Sequence, residues 1–174
     1  MESWRKVWRE GIAPVLRTSA IESLQQALIT DDRRLLQQAT TCPPPLLSLA
    51  DTPCEGADAI GWCGWQGEGL ETVGQVEEYF AKICWECDMR IGEPAACRWF
   101  LNWFDETPRD HMRRELLIEV ELVLAQRFGI AQLPKRSSTN VIQAAPGPLA
   151  STPDTSQEPA RLGATAGRDV ARIG

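Results

Sequence analysis

Apolar residues recur at spacings of three and four along most of the chain before residue 133, which is the pattern of amphipathic helices. The densest group lies in residues 92–104, GEPAACRWFLNWF. Pro94 suits the first turn of a helix, because its missing N–H would have no intrahelical partner there. Apolar side chains would cover more than half of this helix, leaving Arg98, Asn102 and Asp105 on a narrow polar strip.

A helix that is apolar over so much of its circumference has to be covered by neighbours on at least two sides. We therefore predict a central helix over residues 94–104 whose four aromatic side chains lie in the core. These are Trp99, Phe100, Trp103 and Phe104. The alternative is that the aromatic residues form a cage or a surface on which bases stack.

The N-terminal segment 4–16 carries an apolar stripe that ends near Pro14. The stripe consists of Trp4, Val7, Trp8 and Ile12, and the charged residues Arg5, Lys6, Arg9 and Glu10 are expected to point away from it. This spacing predicts a short helix that packs two indole rings onto the domain.

Three sequences of the capping-box type mark further helix starts, at Ser19, Thr72 and Thr107. The first predicts a helix after Ser19, followed by a second short helix over 33–39. The other two predict helices over 73–90 and 108–128, with Gly129 at the end of the last one. Residues 40–71 contain a triple proline and five glycines, so they should be mostly ordered loop, with either a short strand or one or two helical turns at 57–65.

From residue 133 the composition becomes rich in Pro, Ser, Thr, Ala and Gly, with few large hydrophobic residues. We therefore expect one all-α domain over residues 1–132, with about six helices in a compact irregular arrangement. We expect a disordered C-terminal tail over residues 133–174.

The net charge of −6 and the pI of about 4.9 argue against a surface built to neutralise phosphates, so nucleic acid is an unlikely partner. The tail carries five basic and three acidic residues, which leaves a charge of −8 on the rest of the chain. The sequence has neither a signal-peptide pattern nor an apolar run of membrane-spanning length. These features predict a soluble cytoplasmic protein that does not bind membranes.

Two groups of side chains are candidates for chemistry. Cys84 and Cys87 have C-x-x-C spacing, and Cys54 and Cys63 could complete a four-thiolate metal site. In a reducing compartment such cysteines are also commonly free, buried and structural.

The second candidate group surrounds the single histidine. His111 has Glu115 one helical turn later, and such a pair can bind a divalent cation or act as a general base. Acidic residues also favour a helix N-terminus for electrostatic reasons alone. Fingerprints for nucleotide phosphate binding, serine hydrolases and zinc peptidases are absent from the sequence.

Without an assembled catalytic motif or an implied cofactor, a non-enzymatic interaction or accessory protein that binds another protein is the favoured interpretation. One alternative is a metal-binding or thiol-dependent enzyme that uses Cys84, Cys87 and His111. The other is a nucleic-acid-associated accessory protein that makes contact through Lys135, Arg136 and the remaining basic residues of the tail.

Overall fold

The structure is a computed structural model, and it describes residues 3–47 and 49–129. Within these residues it is all-α, as predicted, apart from one small antiparallel sheet. The helices are α1 (Ser3–Lys6), α2 (Thr18–Thr30), α3 (Ala59–Trp62), α4 (Val73–Ile91), α5 (Cys97–Glu106) and α6 (Arg109–Arg127), and the strands are β1 (Thr41–Cys42) and β2 (Gly56–Ala57). The predicted tail over 133–174, including Lys135 and Arg136, lies outside the described residues.

The N-terminal segment is helical but irregular. α1 continues as a π-helical turn over Val7–Ile12 and then as a 3₁₀ turn over Ala13–Val15, which contains Pro14. All four side chains of the predicted apolar stripe are buried. The expectation that Arg5 and Arg9 point away from the domain is wrong, because both guanidinium groups bind the buried carboxylate of Glu119 on α6.

α2 starts one residue before the predicted cap, so Ser19 lies inside the first turn and the capping box expected there is wrong. The separate helix predicted over 33–39 is also wrong. Leu36 N–H donates to the carbonyl of Ala57 (2.8 Å), and Arg109 donates to the carbonyl of Leu35 (2.9 Å). These two long-range contacts hold the segment as turns rather than as helix.

Residues 40–71 combine loop with short regular elements. β1 pairs with β2, and Asp58 caps α3 by accepting a hydrogen bond from Gly61 N–H at 2.7 Å. α3 continues as a π-helical turn over Cys63–Gly67. Of the alternatives open for residues 57–65, helical turns account for most of the segment.

α4 confirms its prediction. The hydroxyl of Thr72 accepts from Gln75 N–H, and the Gln75 side chain accepts from Thr72 N–H, so both halves of the capping box are present. The helix ends at Gly92, whose φ of 76° is in the left-handed region that favours glycine.

α5 begins at Cys97, three residues later than predicted from Pro94. The reason lies in the preceding helix, since the Asp88 carboxylate accepts hydrogen bonds from Ala95 N–H (2.9 Å) and Cys97 N–H (2.7 Å). A carboxylate from α4 therefore supplies the N-terminal cap of α5, and Pro94 lies in the turn before it.

The central position of α5 is only partly confirmed. Phe100 and Phe104 are completely buried, and Trp8 packs on Phe100 with ring centroids 5.7 Å apart. Trp103 is half-buried and Trp99 is exposed, so the prediction that all four aromatic residues lie in the core is wrong. Neighbouring elements cover one broad face of this helix and leave the face bearing Trp99 uncovered.

α6 lies within the predicted range, and Gly129 follows it with a φ of 67°. The cap predicted at Thr107 is wrong, because Pro108 precedes the helix without a side-chain cap and Thr107 ends α5 instead. No helix among the described residues is both long and apolar enough to cross a membrane.

Candidate functional site

An open groove of about 650 Å³ lies where α1, α5 and the start of α6 meet. Most of its lining is aromatic or polar, and it includes the single histidine. The lining residues are Ser3, Trp4, Trp99, Trp103, Glu106, Thr107, Pro108 and His111. We refer to this set as the aromatic groove.

A stack of two indole rings forms part of the aromatic groove. Trp4 from α1 lies face to face with Trp103 from α5, with ring centroids 3.5 Å apart and planes inclined by 6°. Trp4 is buried and Trp103 is half-buried, so the stack is fixed by the core beneath it. Phe100 supports it from below, with its ring centroid 6.2 Å from that of Trp103.

Trp99 forms an exposed wall of the aromatic groove. It precedes Trp103 by four residues on α5, so the two side chains project from the same face of the helix. Trp99 retains 43% of its accessible surface. An indole that remains this exposed beside a buried indole stack offers an apolar surface to a ligand.

The polar residues of the aromatic groove give it a negative bias. Glu106 and His111 are both exposed at its margin. Arg5 lies beside the aromatic groove, with its guanidinium carbon 4.7 Å from the ring centroid of Trp4. Arg5 forms ion pairs with Glu115 and Glu119, so acidic partners already neutralise its charge.

Glu119 anchors the helical segment that carries Trp4. Its carboxylate is completely buried and accepts from Arg5 Nη1 (2.5 Å), Arg9 Nε (2.5 Å) and Arg9 Nη2 (2.8 Å). Burial acts to raise the pKa of Glu119, but the hydrogen bonds and charges of Arg9 and Arg5 outweigh it and lower the pKa. Glu119 is therefore ionised although it is buried, and its ion pairs with Arg5 and Arg9 fix the N-terminal segment against α6.

The predicted pair of His111 and Glu115 is divided between two environments. His111 lines the aromatic groove, whereas Glu115 binds the guanidinium of Arg5. Among the other acidic residues near this helix start, Asp105 accepts from Gln38 N–H (2.8 Å) and Asp110 remains exposed. The structure thus uses the acidic residues next to the histidine mainly for packing and ion pairing.

The cysteines fall into separate places, and all six are free thiols. Cys54 lies in a small satellite cluster of buried residues and donates to the carbonyl of Gly56 at 3.3 Å. Cys63 is buried in the main core, where burial raises its pKa. Cys84 and Cys87 lie on α4, close to Cys97 rather than to the other two.

Among the described residues, no three His, Cys, Asp or Glu side chains are arranged so that they could hold a metal ion. The structure therefore does not assemble the four-cysteine set considered from the sequence. The structure instead brings Cys84 and Cys97 together, with an Sγ–Sγ distance of 3.1 Å. This pair was not considered from the sequence, because the two residues belong to different helices.

Two further apolar surfaces are exposed. The segment after the triple proline presents three leucines to solvent, with Leu46 at 98%, Leu47 at 82% and Leu49 at 77% exposure. On α4, Trp85 and Met89 are both about two-thirds exposed and lie one turn apart. Three separate exposed apolar surfaces are more than scattered single residues, and such surfaces are typical of proteins that bind other proteins.

Comparison of the chain with protein-family models, with curated proteins and with solved structures found no match.

Proposed function

We propose that this chain is a non-enzymatic cytoplasmic accessory protein that binds a basic segment of another protein in the aromatic groove. The observation that carries the proposal is the exposed indole of Trp99 beside the stacked indoles of Trp4 and Trp103. Tryptophan is among the residues that contribute most binding energy at protein interfaces, and the indole stack beside Trp99 is already formed before binding.

Charge complementarity selects the partner. Glu106 lies at the edge of the aromatic groove, the charge of Arg5 is already balanced, and the chain before the tail carries a net charge of −8. A lysine or arginine side chain that lies on the face of Trp99 gains about 0.5–2 kcal/mol from the cation–π interaction, depending on how far it is desolvated. An ion pair with Glu106 would add to this. An acidic ligand would gain neither interaction.

The test uses a short peptide of alternating arginine and glycine with blocked ends, and a matched peptide with glutamate in place of arginine. NMR spectra of the indole N–H groups report binding, and the Trp99 signal is identified as the one that Trp99→Ala removes. We expect the basic peptide to shift the Trp99 signal and the acidic peptide to leave it unchanged. Glu106→Gln should weaken binding of the basic peptide and reduce its dependence on salt.

Two tryptophan variants separate the aromatic groove from exposed tryptophan in general. Trp99→Ala should weaken binding by about tenfold or more, equivalent to about 1.4 kcal/mol. Trp85→Ala is the matched control, because Trp85 is exposed on α4 and does not line the aromatic groove. Equal losses in the two variants, or equal binding of the two peptides, would contradict the proposed site.

A further inference from the structure

The contact between α4 and α5 contains three cysteines, and two of their sulfur atoms nearly touch. Cys84 Sγ and Cys97 Sγ lie 3.1 Å apart, with Cys97 also hydrogen-bonded to Cys87. Cys84 is half-buried, whereas Cys87 and Cys97 are buried. Cys84 is therefore the residue of this group that solvent reaches most easily.

A disulfide between Cys84 and Cys97 requires only a local adjustment. A sulfur–sulfur bond is about 2.05 Å long, so the two atoms have to approach by about 1 Å. The chain between the cysteines includes the non-helical turn from Gly92 to Ala96, where small side-chain and backbone rotations do not disturb a helix. The Asp88 carboxylate already holds Cys97 N–H against α4, which keeps the two cysteines close together.

A hydrogen bond with Cys97 lowers the pKa of Cys87, but Cys87 is completely buried, so an oxidant in solvent reaches Cys84 more easily. The sulfur of Cys87 packs against the N-terminal segment so closely that a Cβ on Gly11 would lie 2.6 Å from it. Cys97 is also unsuited to react first, because hydrogen bonds to Cys84 and Cys87, together with burial, raise its pKa. These contacts leave Cys84 as the residue that meets the oxidant and Cys97 as the one that then reacts with it.

We infer that Cys84 and Cys97 form a reversible disulfide when the protein meets a hydroperoxide. In the first step the sulfur of Cys84 attacks one peroxide oxygen, the O–O bond breaks, and hydrogen peroxide yields a sulfenic acid on Cys84 and one water molecule. In the second step the sulfur of Cys97 attacks the sulfenic sulfur, the S–O bond breaks, and a second water molecule leaves with the thiol proton. Two thiols are oxidised and one peroxide is reduced to two waters.

The disulfide closes a short loop that runs from the second half of α4 to the first residue of α5, so it restricts the unfolded chain more than the folded one. A loop of this length predicts a rise in Tm of roughly 5–10 °C on oxidation, which a thiol reductant reverses. This inference does not depend on the ligand of the aromatic groove.

The experiment treats the full-length protein with hydrogen peroxide and measures the intact mass, the linked peptides and the Tm. We expect the mass to fall by that of two hydrogen atoms, with one cross-link between the peptides that contain Cys84 and Cys97. Cys84→Ser should abolish this cross-link and the rise in Tm. Cys42→Ser is the matched control, because Cys42 is equally half-buried but lies on β1, and it should retain both.

The inference is overturned if peroxide adds oxygen to Cys84 without a cross-link, or if the cross-link joins other cysteines. It is also overturned if the Cys42→Ser variant loses the link between Cys84 and Cys97. Finally, zinc bound to the purified protein and released by peroxide would show that the thiols are metal ligands and not a reactive pair.

Discussion

Replacing Glu119 with alanine tests how the N-terminal segment is held in place. The carboxylate is completely buried and accepts three hydrogen bonds, one from Arg5 and two from Arg9. The variant loses all three and leaves both arginines without their shared partner. Arg5 keeps its ion pair with Glu115, and the side chain of Arg9 is 37% exposed, so water can solvate part of the released charge.

The size of the effect follows from this partial compensation. Removing one partner of a fully buried ion pair typically costs about 3–5 kcal/mol. Since both guanidinium groups reach solvent to some extent, we expect Glu119→Ala to lower the free energy of unfolding by about 2–4 kcal/mol. A small domain has only about 5–15 kcal/mol in total, so the variant should remain folded but unfold at clearly lower denaturant concentration.

Urea unfolding followed by circular dichroism measures this change directly. Glu115→Ala is the matched control, because Glu115 is partly exposed and Arg5 keeps Glu119 when it is removed; we expect a loss of less than about 1 kcal/mol. A double-mutant cycle with Arg9→Ala should give a coupling energy of about 1–2 kcal/mol. Equal losses for Glu119→Ala and Glu115→Ala, or no coupling to Arg9, would refute the reasoning.

The same carboxylate predicts a dependence on pH. Because its pKa is lowered in the folded protein, Glu119 contributes stability that is present above the ordinary glutamate pKa of about 4.3 and is lost as the pH falls through the folded value. Glu119→Gln keeps the shape of the side chain but cannot ionise. The stability difference between the wild type and this variant should therefore shrink under acidic conditions.

Three further predictions follow from burial. Phe100→Ala should cost about 3–5 kcal/mol in urea unfolding, whereas Trp99→Ala, at the exposed wall, should cost less than about 1 kcal/mol; similar costs would contradict the assigned exposure. Burial raises the pKa of Asp58 to about 8, so the protonated carboxyl group contributes stability that is fully present below about pH 4 and is lost as the pH rises through 8. Asp58→Asn cannot ionise, so it should flatten the dependence of the melting temperature on pH over that range. An unchanged profile would contradict this. Replacing Cys84 and Cys87 together with alanine should cost modest stability, and metal analysis should find no stoichiometric zinc or iron in the wild type.

The longest helices were predictable because their signals are local. The capping box at Thr72 and the left-handed glycine at Gly92 lie within a few residues of the helix ends that they define. The sequence signals at Thr107 and Gly129 similarly predicted the range of α6 to within a residue at each end, although Thr107 does not form the expected cap. Such helix ends can be recognised from a short segment of the sequence alone.

The failures arise where a distant side chain decides the local structure. The start of α5 depends on Asp88 in the preceding helix, and the segment around Leu35 depends on Arg109, which lies more than seventy residues away. Serine at position 19 followed by Glu22 has the form of a cap, but the chain becomes helical one residue earlier. For α5 and for the segment around Leu35, the competing partner is adjacent only after folding.

The aromatic groove could be predicted only in part, for the same reason. Helical spacing shows that α5 is apolar over most of its circumference, but the number of neighbours that cover it is a property of the whole fold. Since α1 packs on Trp103 and leaves Trp99 uncovered, one turn of helix separates a half-buried indole from an exposed one. Composition does not distinguish these two indoles.

Glu119 shows that a sequence can still contain an indirect signal of such long-range structure. It falls on the stripe of α6 that buries Leu116, Val120 and Val123, a position where an isolated carboxylate would be very unfavourable. A carboxylate there requires cationic partners from elsewhere in the fold. Arg5 and Arg9, spaced four residues apart beside the buried tryptophans of the N-terminal segment, meet that requirement. An acidic residue on an apolar stripe is therefore grounds to search the other helices for a matching pair of arginines.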